Sequence, residues 1–319
     1  MKFENCFTVY CSSLAFPFWS SRFFNVHLQP ITTVSPQINQ LMKQKILLFM
    51  ICVLASIGAW AQQKTVDVET PGTLARQLGD GRLNVESLKV TGTLNGTDVR
   101  VLREMAGANA TGGGTAGKLA DLDLSEASFV KGGDCYLKVR ENFDAYTEDN
   151  VVSSKMFYGC GALRRVVIPN TARRVYNDSF SACPHLQSIE TVDNRLFTSI
   201  DGVLYRADST LVYRCPQGKR PEVITLREGV KQIYPSAYRG VSSITELRLP
   251  ATIQGINDMA FFGCPNIRVI RFAAPNPPAM ENAFDASVVA NAQLIVPRGS
   301  ADRYRSKNGW KEFTHIVEE

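Results

Sequence analysis

Histidine is scarce in this chain of 319 residues, which carries three: His27, His185 and His315. A Ser-His-Asp or Cys-His set needs a base within hydrogen-bond reach of a nucleophile and an orienting group. His185 follows Cys183-Pro184 in a turn and His315 stands four residues from the C-terminus, so both are expected to be solvated or packed side chains. Metal-ligand spacing is missing as well. From Cys135 onward the cysteines (Cys135, Cys160, Cys183, Cys215, Cys264) are 23 or more residues apart, with no Cys-x-x-Cys or His-x-x-x-His pair. No metal and no cofactor is therefore expected. An excess of one charge is also lacking. The formal +5 of the whole chain falls to +2 once residues 1–61 are set aside, leaving 31 Lys and Arg against 29 Asp and Glu. A near-neutral chain has no electrostatic footprint for nucleic acid. Finally, the apolar run from Ile46 extends for about 15 residues, short of the roughly 20 that cross a bilayer, so no permanent membrane span is expected in the mature chain.

That short run has a different meaning. From Met42 the sequence reads MKQKILLFMICVLASIGAWAQQ, with Lys43 and Lys45 ahead of the apolar stretch and Ala59-Trp60-Ala61 after it. This three-part layout is a secretory signal peptide over 42–61, cleaved after Ala61. Translation is expected to start at Met42, with 1–41 an upstream segment outside the product. Cys52 lies inside the apolar run, far from the cleavage site, and is a poor lipid-attachment residue. The mature protein is expected to be exported: periplasmic, cell-surface or secreted.

The rest of the chain is organised by a repeat. Counting from Val241, apolar side chains fall at Ile244, Leu247, Leu249, Ile253, Ile256 and Phe261, and the series begins again at Cys264 with Ile267, Ile270 and Phe272, a period of 23 residues. The same ruler laid on Cys160 meets Leu163, Val166, Ile168, Ala172, Val175 and Phe180, then restarts at Cys183 with Leu186 and Ile189. A fixed period of this length marks a solenoid, in which a lone unit cannot bury its apolar face and must stack on the next. The two apolar positions that straddle one residue read as a short strand with one buried face. Three cysteines share one slot, as core residues do, and adjacent-coil geometry suits a disulfide badly; buried thiols are expected.

The pattern Cys-x-x-Leu-x-x-Ile-x-Leu-Pro-x-x-Val-x-x-Ile-x-x-x-Ala-Phe resembles the BspA-like leucine-rich repeats of bacterial surface and secreted proteins. Residues 157–275 carry it, LIVPRGSADRYRSKNGWKEF looks like that family's closing segment, and SLKVTGTLNGTDVRVLREMAG like its opening one. Val241 replaces the expected Cys, Tyr238 the expected Phe, and Ala172 a larger aliphatic. The resemblance implies attachment to host or neighbouring cells.

The expected fold is thus a leucine-rich-repeat solenoid, mostly β with short helical turns, an α/β N-terminal cap over 62–150 and a helical C-terminal cap over 276–319. The repeats occupy 151–275. A hairpin insertion at 193–218 breaks the beat, signalled by Asp201-Gly202 between Leu196–Ser199 and Val203–Tyr205, with Leu211–Tyr213 as a third strand. In the N-terminal cap a helix over 95–106 presents Val99, Leu102 and Met105, with Thr97 or Asp98 as its cap. In the C-terminal cap Leu294–Val296 reads as the last strand, Ser300 as a helix cap, and Trp310 as the side chain that seals the core.

Three further patterns carry little. Gly112–Lys118, GGGTAGK, has phosphate-loop spacing, but Leu119 stands where Ser or Thr should, and the segment follows a helix and opens a strand, the reverse of the required order. Asn95, Asn109 and Asn177 head glycan-acceptor triplets of the kind chance supplies. No carboxylate pair stands out for glycoside hydrolysis. The residues between the buried strand positions, Asp123, Val167, Glu190, Thr225, Arg248 and Arg271, are expected to align as one solvated ladder, the type of surface on which solenoids bind; a merely soluble face is the plainer reading. The functional expectation is noncatalytic binding of an extracellular protein or glycan by that face or by the hairpin at 196–214. The alternative is an extracellular hydrolase or other enzyme whose site the sequence does not display.

Overall fold

Alternating apolar positions give each repeat a short strand, and backbone pairing follows the period. The structure is a computed structural model that describes residues 63–138 and 144–319; the export signal expected over 42–61 and the segment 1–41 lie outside them. Strands Lys64–Val68, Ser87–Leu94, Asp121–Asp123, Arg165–Ile168 and Ser188–Thr191 lie side by side in that order, all parallel. Leu88, Leu122, Val166 and Ile189 share a register and are wholly buried. A second parallel ladder runs Val223–Thr225, Glu246–Leu249, Val269–Phe272, Gln293–Val296 and His315–Glu318. Its inward register is Ile224, Leu247, Ile270, Leu294 and Ile316. The described residues are mostly β, with few helices among them: Leu74–Leu78, Gly96–Met105, Ala286–Asn291 and Ala301–Ser306, besides two short 3-10 turns.

Farther along each repeat the chain makes a two-residue strand at the next apolar slot. Gln232–Ile233, Gly255–Ile256 and Ala279–Met280 pair in parallel, as do Val151–Val152 and Arg174–Val175. The hairpin joins the first of these rows. Phe197–Ile200 and Val203–Arg206 are antiparallel, and Leu211–Arg214 passes the pairing on to Gln232–Ile233. Asp201 and Gly202 both have positive φ, 51° and 72°, as a two-residue hairpin turn matched to strand twist requires.

Phenylalanine recurs at one slot because rings stacked at that slot fill the space between coils. Phe157 lies on Phe180 with ring centres 5.5 Å apart, and Tyr238, Phe261 and Phe284 are stacked at 5.1 Å intervals. The Phe157 amide donates to Ser179 O, and those of Tyr238 and Phe261 donate to Ala260 O and Ala283 O. The Cys215 amide donates to Ala237 O in the same way, so Cys215 occupies the aromatic slot of its coil. The five cysteines among the described residues are free and buried. Burial pushes the thiols of Cys183 up to about 11 and those of Cys215 and Cys264 up to about 12, with Cys160 also raised. Thiols so far from ionisation are packing groups and not nucleophiles. The Cys183 thiol donates to Phe157 O, and that of Cys264 to Tyr238 O.

Several terminal details differ from expectation. The helix Gly96–Met105 is capped by Asn95, whose Oδ1 accepts the Thr97 amide, while the Asp98 carboxylate accepts the Asn95 amide in return. Asp98 also accepts the Gly72 and Leu74 amides, which fastens the preceding helix to this one. Ser300 makes no side-chain cap bond; Glu318 Oε1 accepts the Ala301 amide at 2.8 Å instead. Backbone N–H groups of Gly299, Ala301 and Ser300 hold the Glu318 carboxyl below its usual range. Leu294–Val296 is not the last strand, because His315–Glu318 pairs beyond it. That strand contributes one buried side chain, Ile316, too little alternation to be read from sequence. Trp310 has no solvent exposure, meets Phe272 and Tyr304 edge to face, and donates its indole N–H to Pro278 O.

Candidate functional site

The six residues expected to form one row form two. Asp123, Val167 and Glu190 share a register in the first ladder; Thr225, Arg248 and Arg271 share one in the second. No strand pairing joins Ser188–Thr191 to Val223–Thr225, because the hairpin tip takes up the bonds of the first edge. The Ile189 amide donates to Gly202 O, and Ser199 Oγ donates to Ile189 O.

In the first row Val167 is not solvated, having no exposed surface. Asp123 and Glu190 stand beside it on either side, and the side chain two residues earlier, Arg165, reaches across the sheet. Its Nη1 lies 2.9 Å from Asp121 Oδ1 and its Nη2 2.6 Å from Glu190 Oε2. Burial works to raise the Glu190 carboxyl, but hydrogen bonds from Arg165 and Ser188 outweigh it and hold the group below its usual range. Hydrogen bonding to Glu190 in turn raises Arg165. Asp123 Oδ1 accepts the Ser125 amide. Glu190 and Arg165 are thus engaged with each other, and Asp123 with a backbone amide.

The second row is more open. Arg248 is 52% exposed and Arg271 40%, and both point their Nε groups at Glu246 Oε1, at 2.8 and 3.0 Å. Arg271 Nη1 also meets Glu319 Oε2 at 2.5 Å. The Arg248 hydrogen bond, aided by Arg271, lowers the Glu246 carboxyl, so Glu246 stays ionised and fixes both guanidinium planes. Around them is a groove of about 380 Å³, lined by Thr225, Arg248, Arg271, Glu319 and the apolar Pro250 and Phe272 among others. The register continues from Arg271 to Ile295 and Val317. Sequence reasoning missed Glu246, Glu319 and those two aliphatics; Glu246 had a local signal, lying two residues before Arg248 on the same face.

A rigid backbone row carrying two fixed guanidinium groups beside apolar surface can hold a ligand carboxylate, sulfate or carbonyl by geometry. It contains no nucleophile–base pair. Of the two described histidines, His185 lines a separate groove, and His315 stands on the last strand in register with Gln293, Val269 and Glu246, three strands away from that carboxylate. Lys118, in the phosphate-loop-like segment, donates to Asn84 Oδ1, and the segment runs from the helix Gly96–Met105 into the strand Asp121–Asp123. At the base of the hairpin, Asn194 donates to the carbonyls of Pro169, Asn170 and Ala172 and accepts the Leu196 and Phe197 amides. This fixed turn leaves Val192 and Leu196 each 49% exposed. No helix among the described residues is long and apolar enough to cross a membrane.

Parallel strands recurring every 23 residues over stacked rings define a repeat protein. Residues 150–291 match the BspA type leucine rich repeat region in six copies. Among solved structures, a leucine-rich repeat protein from Eubacterium ventriosum is similar at 12% identity over 74% of each chain, with a TM-score of 0.40. A leucine rich cell surface protein from Faecalibacterium prausnitzii is similar at 14% identity, covering 80% of this chain and 79% of that one, TM-score 0.38. The pneumococcal vaccine antigen PcpA is similar at 12% identity, covering 74% and 68%, TM-score 0.36. No curated protein matches the chain.

Proposed function

We propose that the chain is an exported leucine-rich-repeat solenoid, capped by residues 62–150 and 276–319, that binds an extracellular protein or glycan without catalysing a reaction. The observation that carries this reading is the second row: Arg248 and Arg271 held in register by Glu246, half exposed, over a groove with apolar walls. Fixing long side chains before the ligand arrives reduces the ordering entropy lost on binding. The first row contributes less, since Val167 is buried and Glu190 is engaged with Arg165.

Purified residues 62–319 would be screened against arrays of extracellular proteins and glycans, alongside a panel of hydrolase substrates. Retention of a ligand without turnover is expected. Replacing Arg248 and Arg271 together by Ala should weaken retention at least tenfold while stability changes little, exposed substitutions usually lying within about 0.5 kcal/mol. Turnover of a substrate without retention would favour a hydrolase and end this reading.

A further inference from the structure

The break between the two ladders leaves a strand edge open in the middle of the chain. The Thr245 and Glu246 amides donate to Glu222 O, and the Leu226 amide donates to Arg248 O. In a parallel pair, backbone groups alternate between the two sides of a strand. With Val223, Ile224 and Thr225 in register with Glu246, Leu247 and Arg248, the amide and carbonyl of Ile224 face the sheet. Those of Val223 and Thr225 face the gap. The hairpin tip closes the opposite edge at Ile189, yet no strand among the described residues pairs on the gap side of Val223–Thr225. The consequence shows in burial. Val223 is 40% exposed and Ile224 half-buried, although its register partners Leu247 and Ile270 are wholly buried.

A groove of about 760 Å³ opens at the start of this gap, within the range of sites that hold ligands. Gln187, Ser188 and Glu190 line one side and Gly218, Lys219 and Arg220 the other, with the hairpin tip between them. Its carboxylates are engaged: Glu190 by Arg165 and Asp201 by Lys219 at 3.0 Å. Arg220 makes no ion pair or side-chain hydrogen bond among the described residues, so it is the cation of the groove left without a carboxylate beside it.

We propose that Val223–Thr225 is the docking edge for an extended peptide strand of a partner protein, which adds to the second ladder as its missing neighbour and sets an acidic side chain against Arg220. Two donors and two acceptors spaced along a strand are complementary to another peptide backbone. A glycan offers no matching alternation of N–H and C=O. Thr225 also belongs to the row of Arg248 and Arg271, but the edge offers backbone groups and the row offers side chains, so the two readings are tested separately.

The probes are a capped hexapeptide of alternating valine and glutamate, its N-methylated copy, and the analogue with lysine for glutamate. The first should bind saturably and slow hydrogen exchange at the Val223 and Thr225 amides at least tenfold. Val223→Pro removes a gap-facing donor and no sheet bond, a replacement edge strands tolerate. It should weaken binding about fivefold, the value of one neutral hydrogen bond. Arg220→Glu should reverse the preference for glutamate over lysine without altering the backbone. Replacing Arg248 and Arg271 by Ala should leave peptide binding unchanged. The proposal is overturned if the hexapeptide does not bind, if the N-methylated copy binds equally, or if protection appears elsewhere. It is overturned too if both amides in the free protein already exchange as slowly as those of Glu246–Leu249, which would mean that the edge is already occupied.

Discussion

Phe261 has no exposed surface and lies between the rings of Tyr238 and Phe284. Replacing it by Ala empties a site that both neighbours brace against collapse. The expected loss is about 3–5 kcal/mol, read from the midpoint and slope of urea denaturation. Glu190 predicts a pH dependence. Its carboxyl is held below the usual range, so its contribution to stability is present above the unfolded value of about 4.3 and disappears as pH falls through the folded one. In thermal denaturation from pH 7 to pH 3, Glu190→Gln should melt below the wild type at neutral pH, with the difference closing in acid. The inward side chains were legible residue by residue, because burial repeats with the local period. Val167 was not. Its slot is the same as that of Arg248, but the polar side chains around it, bridged by Arg165, take it out of water, and no count along the chain reveals such cover.

At the scale of single elements, the hairpin tests the turn chemistry. Gly202 has φ of 72°, and a Cβ there would lie 2.9 Å from Ser188 Oγ and 3.1 Å from Gln187 O. Gly202→Ala should destabilise by about 1–2 kcal/mol from backbone strain alone, with amide exchange quickening first at Ile189, whose donor is bonded to Gly202 O. Asp201-Gly202 announced this turn because few dipeptides accept two positive φ angles. The strand His315–Glu318 was hidden, since one buried Ile316 makes no pattern. The cap on Ala301–Ser306 was hidden for another reason: the carboxylate that accepts the Ala301 amide comes from Glu318, 17 residues away.

At the scale of the molecule, most buried apolar side chains among the described residues fall into two clusters that divide at the hairpin, one running from Val66 to Leu204 and the other from Val203 to Ile316. Trp310 belongs to the second, at its C-terminal end. In a stack held by nearest-neighbour contacts, damage at one end stays near it. Trp310→Ala should therefore cost about 3–5 kcal/mol and speed exchange in Gln293–Val296 and His315–Glu318, while Leu88, Leu122 and Val166 keep their protection. Equal loss in both ladders would show instead that the two clusters open as one unit. By itself the sequence determined the 23-residue beat, which side chains face inward, and the position of the hairpin, because each depends on neighbours within one coil. Only the tertiary structure decided that the outward row is parted between Glu190 and Thr225, that Arg165 and Glu246 bind charges on adjoining strands, and that one inner edge is left open. Those outcomes rest on which groups meet across coils, and the parting of the row accompanies the bond from Ile189 to Gly202, a meeting that periodicity does not encode.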